Sequence, residues 1–303
     1  MRHQWTDLPT AVRDLIAGRC GTVTGVTVPD AGEIAEFAAA LDTATGRLFV
    51  KAARLDSPNL WMARKEAQAA PVVRGIGAGL LWQGEAGGWL VTAFEYVPGR
   101  HADLSPGSSD LPLIARTLAG LADKLTPAPA LRTFSLAQRW TGSALWPEIA
   151  AAEGLTPWQA AHLDALTVLE SRVSDAVVGD TLAHTDMTGS NILLDGARVR
   201  VIDWSWPARA AAWADTASLV PRLIAAGHTI TQAQRWAMTV PCYAVADPAR
   251  VASLAAVVAA RWQLRAIRDG GTWVALSAAA ETWVAGLLPV SASRGSHPRE
   301  RRR

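Results

Sequence analysis

The sequence predicts an α+β fold, with an antiparallel sheet in the first third of the chain and helices in most of the remainder. The 303 residues are 50% hydrophobic and 18% charged, which is enough apolar side chain to bury one large core or two modest ones. Short β-rich runs separated by turn residues fill residues 23–96, whereas longer apolar-periodic segments follow residue 110. One strand pair, at residues 191–202, interrupts the helical part.

The sheet region is predicted from its alternation of β-rich runs and turns. Strands are predicted at residues 23–28, 34–41, 47–52, 80–82 and 89–96. The first three form a meander, since the turn cluster at residues 42–46 joins the second to the third. Ser57 and Pro58 predict a helix start, with serine as the N-cap and proline at the first helical position. Pro71 ends this helix after about Ala70.

The helical region shows clear start signals and one hairpin. Asp110, Thr156-Pro157 and Asp247-Pro248 each precede a long apolar-periodic segment. The hairpin is predicted from two apolar runs on either side of Asp195-Gly196, a favourable turn dipeptide. From residue 291 the chain is rich in serine and arginine, and this tail is predicted to be disordered.

The charge distribution excludes several function classes. The formal net charge is only +2, and residues 294–303 hold five arginines against one glutamate. The body of the chain is therefore slightly acidic, which argues against a nucleic-acid-binding domain. Cys20 and Cys242 are too far apart in sequence to form a metal-spaced cluster or a disulfide framework.

The apolar runs indicate neither a signal peptide nor a membrane span. Residues 1–7 lack the apolar run of a signal peptide. The longest apolar run, at residues 271–290, contains Glu281 and several small polar residues, so a buried core helix is the better interpretation. We expect a cytoplasmic protein with no membrane partner.

The stretch that indicates chemistry is His184-Thr185-Asp186 through Asn191, followed by Asp203. A turn at Asp195-Gly196 places Asn191 opposite Arg200 at the open end of the hairpin, and Asp203 lies just beyond that end. Two carboxylates and one amide therefore converge on one edge of a short ribbon. Such oxygen ligands suit Mg²⁺ bound to substrate phosphates, and the remaining carboxylate is free to accept a proton. Phosphoryl transfer requires this arrangement.

These motifs carry a family resemblance. The spacing H-x-D-x-x-x-x-N matches a kinase catalytic loop, and Ile202-Asp203-Trp204 stands where D-F-G occurs. The run at residues 94–99 is similar to an interlobe linker. Over roughly residues 20–290 the chain resembles the aminoglycoside phosphotransferase family, a branch of the protein-kinase-like superfamily. The resemblance implies a bilobal fold, with residues 1–94 as the nucleotide-binding lobe, 95–99 as the linker, 100–290 as the helical catalytic and acceptor lobe, and 291–303 as a basic tail.

The resemblance also implies roles for individual residues, with ATP and Mg²⁺ as cofactors. Asp186 would be the catalytic base, and Asn191 and Asp203 would hold Mg²⁺ on the triphosphate. Lys51 would contact the α- and β-phosphates, and Glu66 would orient Lys51 through an ion pair.

Two further parts of the nucleotide site follow from the resemblance. Glu95 and Val97 would offer backbone groups to adenine, and Gly32 would place backbone amides near the phosphates. The sequence departs from the family in that Thr188-Gly189 replaces the usual proline of the catalytic loop, which predicts a looser loop. The phosphate-covering loop, at residues 29–33, contains a single glycine.

Each candidate also has a purely structural interpretation. Asp186, Asn191 and Asp203 are polar residues that would suit the flanks of any hairpin, and a strand lysine such as Lys51 is often a solvated edge residue. Glu66 follows Arg64 and Lys65, which is typical of a solvated helix face.

Other polar residues near the motifs are less decisive. A buried histidine that orients the loop is the favoured interpretation of His184, and Asp215 is interpreted as a structural brace. His101 and Asp103, just past the linker, would contact ribose or acceptor, or else belong to a solvated loop.

Three functions remain open on the sequence alone. The favoured one is an ATP-dependent O-phosphotransferase with a small-molecule hydroxyl as acceptor. A kinase of a peptide or protein hydroxyl and a non-catalytic nucleotide-binding module are the alternatives. Residues 220–290 contain six arginines against three carboxylates, which argues against a strongly cationic acceptor.

Overall fold

The computed structural model describes residues 3–29 and 35–288. The proposed phosphate-loop residue Gly32 and the tail at residues 291–303 lie outside the described residues. Antiparallel strands dominate the first part of the described chain and helices dominate the rest, so the predicted fold class is confirmed.

The sheet region contains five antiparallel strands in the order β1-β2-β3-β5-β4. The strands are β1 (Val23–Thr27), β2 (Phe37–Thr43), β3 (Gly46–Arg54), β4 (Leu80–Ala86) and β5 (Trp89–Glu95). Helix α1 (Thr10–Cys20) precedes them, and its buried face at Val12 and Ile16 shares a core with Phe37, Leu41 and Val91. The register of β2 against β3 pairs Ala38 with Lys51, which places the lysine side chain in the cleft beside the sheet.

Helix α2 (Leu60–Ala69) begins later than Ser57 and Pro58 predict. The Ser57 hydroxyl accepts a hydrogen bond from the Asn59 amide at 3.2 Å and stabilises a turn before the helix. The serine therefore satisfies a local turn rather than the first helical amides, as serine does readily outside helices. Glu66 is on the buried face of α2.

The helical region packs around one large core. Its helices are α3 (Asp110–Lys124), α4 (Leu136–Trp140), α5 (Leu145–Ala151), α6 (Pro157–Ala161), α7 (Leu163–Ser171), α8 (Val173–Ala176), α9 (Ala214–Ala225), α10 (Ile230–Ala237), α11 (Pro241–Ala244), α12 (Pro248–Asp269) and α13 (Thr272–Ala285). The start signals at Thr156 and Asp247 are confirmed, because each side chain accepts a hydrogen bond from the first turn of its helix. None of the helices in the described part of the chain has both the length and the apolar character that a membrane crossing needs.

Short strands carry the site residues at the boundary of the two regions. They are β6 (Arg100–His101), β7 (Thr181–Ala183), β8 (Ile192–Asp195), β9 (Arg198–Val201) and β10 (Ala208–Ala210). Strands β6, β8 and β9 form one sheet, and β7 pairs with β10. Gly99 passes so close to this sheet that a Cβ atom would lie 2.5 Å from the Leu194 carbonyl oxygen, and its φ is +126°. Only glycine suits both conditions.

The hairpin is present, but its register differs from the predicted one. Asp195 pairs with Arg198, so the two turn residues are Gly196 and Ala197 rather than Asp195 and Gly196. Gly196, at φ +58°, is the first turn residue. The shift places Arg200 opposite Leu193, and Asn191 receives a hydrogen bond from the Ile202 amide instead.

Candidate active site

The loop that follows β7 is fixed by hydrogen bonds to two buried side chains, those of Asp215 and His184. The buried Asp215 carboxylate accepts hydrogen bonds from the backbone amides of His184 and Thr185, each at 2.8 Å. The His184 ring is fully buried, contacts the Ile202 carbonyl through Nε2 at 2.9 Å and accepts the Asp186 amide through Nδ1 at 3.2 Å. These contacts agree with the structural roles expected of His184 and Asp215, and they fix the backbone from which Asp186 projects.

Asp186 and Asn191 lie together at the end of this loop. The Asn191 Nδ2 group donates to the Asp186 backbone carbonyl at 2.9 Å, so the amide oxygen of Asn191 remains available to a ligand in the cleft. The Thr188 hydroxyl accepts a hydrogen bond from the backbone amide of Asn191 at 3.2 Å. A Cβ atom at Gly189 would approach the Ala102 carbonyl oxygen to 3.1 Å, so this glycine permits close packing. The loop is held by these contacts, although the glycine predicts a looser one.

Lys51 is bound by two carboxylates. Its Nζ atom lies 2.8 and 2.9 Å from the two Glu66 carboxylate oxygens and 3.1 Å from Asp203 Oδ1. Burial alone would lower the pKa of Lys51, but the negative charges of Asp203 and Glu66 raise it above its ordinary value. The expected Lys51–Glu66 ion pair is therefore present, and the lysine is a fixed positive charge in the cleft.

Asp203 lies where β9 ends and the chain turns into the cleft. Its φ of +63° is in the left-handed region, and its carboxylate also accepts a hydrogen bond from the Ser205 hydroxyl. Burial opposes ionisation, but the charge of Lys51 and the Ser205 hydrogen bond keep the pKa of Asp203 below its ordinary value. The carboxylate is thus ionised and faces the same cleft as Asn191.

Burial raises the pKa of Glu66 to about 7 against the opposing charge of Lys51, and the Asp203 charge adds to the rise. The folded state therefore retains a proton that the unfolded chain loses near pH 4.5, and the contact with Lys51 becomes a full ion pair as that proton is lost near pH 7. Because the folded state binds more protons between pH 4.5 and 7, this group makes the protein less stable as the pH rises through that window. We expect the melting temperature of the nucleotide-free protein, relative to that of Glu66→Gln, to fall across the window.

A pH series of thermal melts with the Glu66→Gln variant checks this expectation. Glu85→Gln is the matched control, because the Glu85 carboxylate is about half exposed and pairs with Arg64 on the surface. A wild-type melting temperature that rises relative to Glu66→Gln between pH 5 and 7 would contradict the buried-carboxyl interpretation.

The chain that joins the two regions lines the inner end of the cleft. Val97 is buried there, and its backbone amide has no backbone hydrogen-bond partner among the residues that the structure describes. The Glu95 backbone amide donates to the Gly79 carbonyl at 2.8 Å and is therefore not available to a ligand. The Glu95 carboxylate pairs with buried Arg200. Sequence reasoning placed Arg200 at the hairpin but missed this ion pair across the junction.

One continuous cleft of about 840 Å³ contains these candidates. Lys51, Glu66, Glu95, Val97, Asp186, Asn191 and Asp203 all line it. His101 also lines it, whereas the Asp103 carboxylate accepts two hydrogen bonds from Ser105, both at 2.9 Å, and stabilises a turn.

The family model that describes the phosphotransferase enzyme family matches residues 27–248, a span that includes Lys51, Asp186 and Asp203. The chain belongs to the phosphotransferase enzyme family. The resemblance proposed from the catalytic-loop spacing is confirmed. No curated protein sequence matches this phosphotransferase.

Solved structures agree with this classification at the level of the fold. A thermostable mutant of the aminoglycoside phosphotransferase APH(4)-Ia, in ternary complex with ADP and hygromycin B, is 14% identical with a TM-score of 0.58, over 89% of this chain and 98% of that one. Choline kinase LicA from Streptococcus pneumoniae is 15% identical with a TM-score of 0.60, over 91% of this chain and 98% of that one. At these identities the likeness establishes the kinase-like fold of this phosphotransferase.

The donor atoms of this phosphotransferase fit a magnesium ion. Mg²⁺ is usually bound by one or two protein oxygens together with substrate phosphates. Asp203 offers an ionised carboxylate, and Asn191 offers an amide oxygen whose partner nitrogen is already engaged. These two residues would hold the ion, which would neutralise phosphate charge when bound.

The outer part of the cleft in this phosphotransferase holds residues that sequence reasoning missed as a group. Arg139, Arg222 and Arg261 line it from α4, α9 and α12. Arg222 approaches Asp186 Oδ1 at 3.8 Å, and Arg139 donates to the Thr185 hydroxyl at 2.9 Å. An excess of arginine over carboxylates in residues 220–290 was the available signal, but it did not reveal which arginines share a wall.

Proposed function

We propose that this chain is an ATP-dependent O-phosphotransferase that transfers the γ-phosphoryl group to a hydroxyl of a small molecule in the cytoplasm. The observation that carries the proposal is the position of Asp186. Its carboxylate, with 44% of the side chain exposed, faces a cleft that has the Lys51–Glu66–Asp203 group at one end and a helical pocket at the other.

Each residue then has a defined part in the transfer. Residues 1–94 would bind the nucleotide, with adenine against the backbone of Glu95 and Val97 in the linker at 95–99. Lys51, held by Glu66, would contact the α- and β-phosphates, because a fixed ammonium neutralises phosphate charge without reorganisation. Gly32 would lie over the phosphates.

The chemical step joins the two ends of the cleft. The acceptor oxygen attacks the γ-phosphorus atom, and the bond from that atom to the β–γ bridging oxygen breaks. The acceptor proton passes to the Asp186 carboxylate, and ADP leaves with the electron pair of the broken bond. Asn191 and Asp203 would hold Mg²⁺, which supplies charge neutralisation when bound.

The form of the acceptor end supports a small acceptor. Helices α4, α9, α12 and α13, which belong to the proposed lobe at residues 100–290, all contribute lining residues to it. A peptide acceptor requires a shallow, extended groove, and a pocket walled by four helices is better suited to a compact molecule. The presence of Lys51, Asp186, Asn191 and Asp203 in one cleft argues against a non-catalytic nucleotide-binding module.

The test is phosphoryl transfer from ATP to a panel of small alcohols that spans anionic, neutral and cationic members. We expect phosphate monoesters, detected by ³¹P nuclear magnetic resonance, together with an equal amount of ADP. The Asp186→Asn variant serves as the control for contaminating kinases. Failure to bind magnesium–ATP, or ester formation at the same rate in the variant, would contradict the proposal.

A further inference from the structure

Four arginines form a positively charged wall in the outer part of the cleft. Arg139 comes from α4, Arg222 from α9, and Arg261 and Arg265 from α12. Among the described residues, Asp186 is the one carboxylate that lines this outer part of the cleft. The other lining carboxylates lie at the nucleotide end. We call this set the arginine wall.

Each arginine of the wall lies against a tryptophan ring. The guanidinium carbons of Arg139, Arg222, Arg261 and Arg265 lie 5.1, 4.9, 5.5 and 4.6 Å from the ring centroids of Trp206, Trp262, Trp140 and Trp273, respectively. A ring contact holds the flat face of a guanidinium while its N–H donors remain in the plane for another partner. The tryptophans thus orient the arginines without neutralising their charge.

Within the described part of the chain, Arg139, Arg222 and Arg261 form no ion pair closer than 3.8 Å. Arg222 Nε is buried without a hydrogen-bond partner, and its nearest carboxylate, Asp186, is 3.8 Å away. Arg261 has no ion pair or hydrogen bond with the residues that the structure describes. Arg265 differs, because it pairs with Asp269 at 3.1 Å.

The lowered pKa values of the wall arginines also favour an anionic ligand. Burial and the nearby charge of Arg261 lower the pKa of Arg139 to about 10, against the opposing effect of Asp186. Burial also lowers the pKa of Arg222 and of Arg261, and Arg265 adds to the effect on Arg261. Like charges that repel one another in a partly buried pocket are stabilised when an anion binds between them.

Apolar side chains line much of the pocket beside the arginine wall, together with the hydroxyl groups of Ser218 and Thr272. Leu136, Leu254, Val258 and Leu276 line it together with faces of Trp140, Trp262 and Trp273. A ligand that fits here needs an apolar or aromatic body as well as a group that satisfies the arginines.

We propose that the acceptor is a hydroxyl compound that carries an anionic group, a carboxylate or a phosphate, on an apolar or aromatic body. This inference rests on the proposed phosphotransferase function and specifies its substrate class. Arginine forks match carboxylate and phosphate oxygens with two parallel hydrogen bonds. The same wall repels a polycationic acceptor, because its ammonium groups would lie beside at least three guanidinium groups.

The test compares three probes that share a phenyl ring and an aliphatic hydroxyl and differ in charge. They are 3-phenyllactate, which is anionic, its neutral amide, and the cationic amino alcohol phenylalaninol. Calorimetric titrations use the full chain without nucleotide, so their outcome does not depend on the phosphotransferase activity. We expect phenyllactate to bind roughly tenfold or more tighter than its amide, and phenylalaninol to bind most weakly.

Two variants make the test specific to the arginine wall. Arg261→Gln should weaken phenyllactate binding roughly tenfold and leave binding of the amide nearly unchanged. Arg235→Gln, which removes an exposed arginine on α10 outside the cleft, should leave all three affinities unchanged. Equal affinities, tighter binding of the amide or the cation, or no binding of any probe would overturn the inference.

The two proposals fail separately. Phosphoryl transfer to neutral or cationic alcohols, without a preference for the anionic probe, would leave the phosphotransferase function in place and overturn the substrate class. Loss of magnesium–ATP binding with a preserved preference for phenyllactate would overturn the phosphotransferase function and leave the preference for an anionic ligand in place.

Discussion

Replacing Asp186 with asparagine should lower turnover by ~10²–10⁴-fold, which is the usual contribution of a positioned general base. The substitution removes the proton acceptor and one charge but almost no volume. The Asp186 amide bonds to His184 and its carbonyl accepts Asn191, and both contacts use the backbone, so the loop should keep its form. Affinity for magnesium–AMP-PNP should stay nearly unchanged, because Asp186 is assigned to the acceptor.

Steady-state kinetics and calorimetry together measure these two effects. Asp195→Asn is the matched control, since it makes the same chemical change at an exposed position in the neighbouring hairpin. The control should keep full turnover and full nucleotide affinity. Turnover of Asp186→Asn close to that of the control would show that another group accepts the proton.

The fold could be predicted largely from local signals. The sheet strands follow β-rich runs between turns, and the Thr156 and Asp247 caps mark real helix starts because their side chains bond to the first turn. Helix α1 was not predicted, because Pro9 occupies its N-cap position and no capping side chain marks its start. Ser57 misled because the same hydroxyl chemistry stabilises a turn as well as a helix start.

Part of the candidate site could likewise be predicted from local sequence, and part of it could not. Asp186, Asn191 and Asp203 lie within 18 positions of one another in the sequence, so spacing alone could bring them together. The hairpin register escaped prediction because either Asp195-Gly196 or Gly196-Ala197 suits a two-residue turn, and the choice depends on packing.

The arginine wall was beyond the reach of sequence reasoning. Arg139, Arg222 and Arg261 belong to three helices that are far apart along the chain, and only their packing brings the charges to one pocket. The total charge of a segment indicates the sign of a field, but it does not identify which side chains face a ligand. The placement of acceptor-binding residues therefore depends on tertiary structure.

Replacing Asp203 with asparagine should weaken magnesium-dependent nucleotide binding by at least about tenfold, since even residues that only support a metal ligand typically contribute 10–100-fold in metal affinity. The backbone should tolerate the change, because asparagine is one of the few residues that adopt the φ of +63° found here. The variant also loses the 3.1 Å ion pair with Lys51, while Glu66 still holds the lysine.

Calorimetry with AMP-PNP, with and without Mg²⁺, separates the metal contribution from that of Lys51. The wild-type advantage over Asp203→Asn should be large with Mg²⁺ and small in a chelating buffer, because the assigned role of Asp203 is to bind the ion. Asp186→Asn should show no such difference from the wild type. Equal losses of nucleotide affinity in the two variants would refute the assignment of Asp186 to the acceptor proton and Asp203 to the metal.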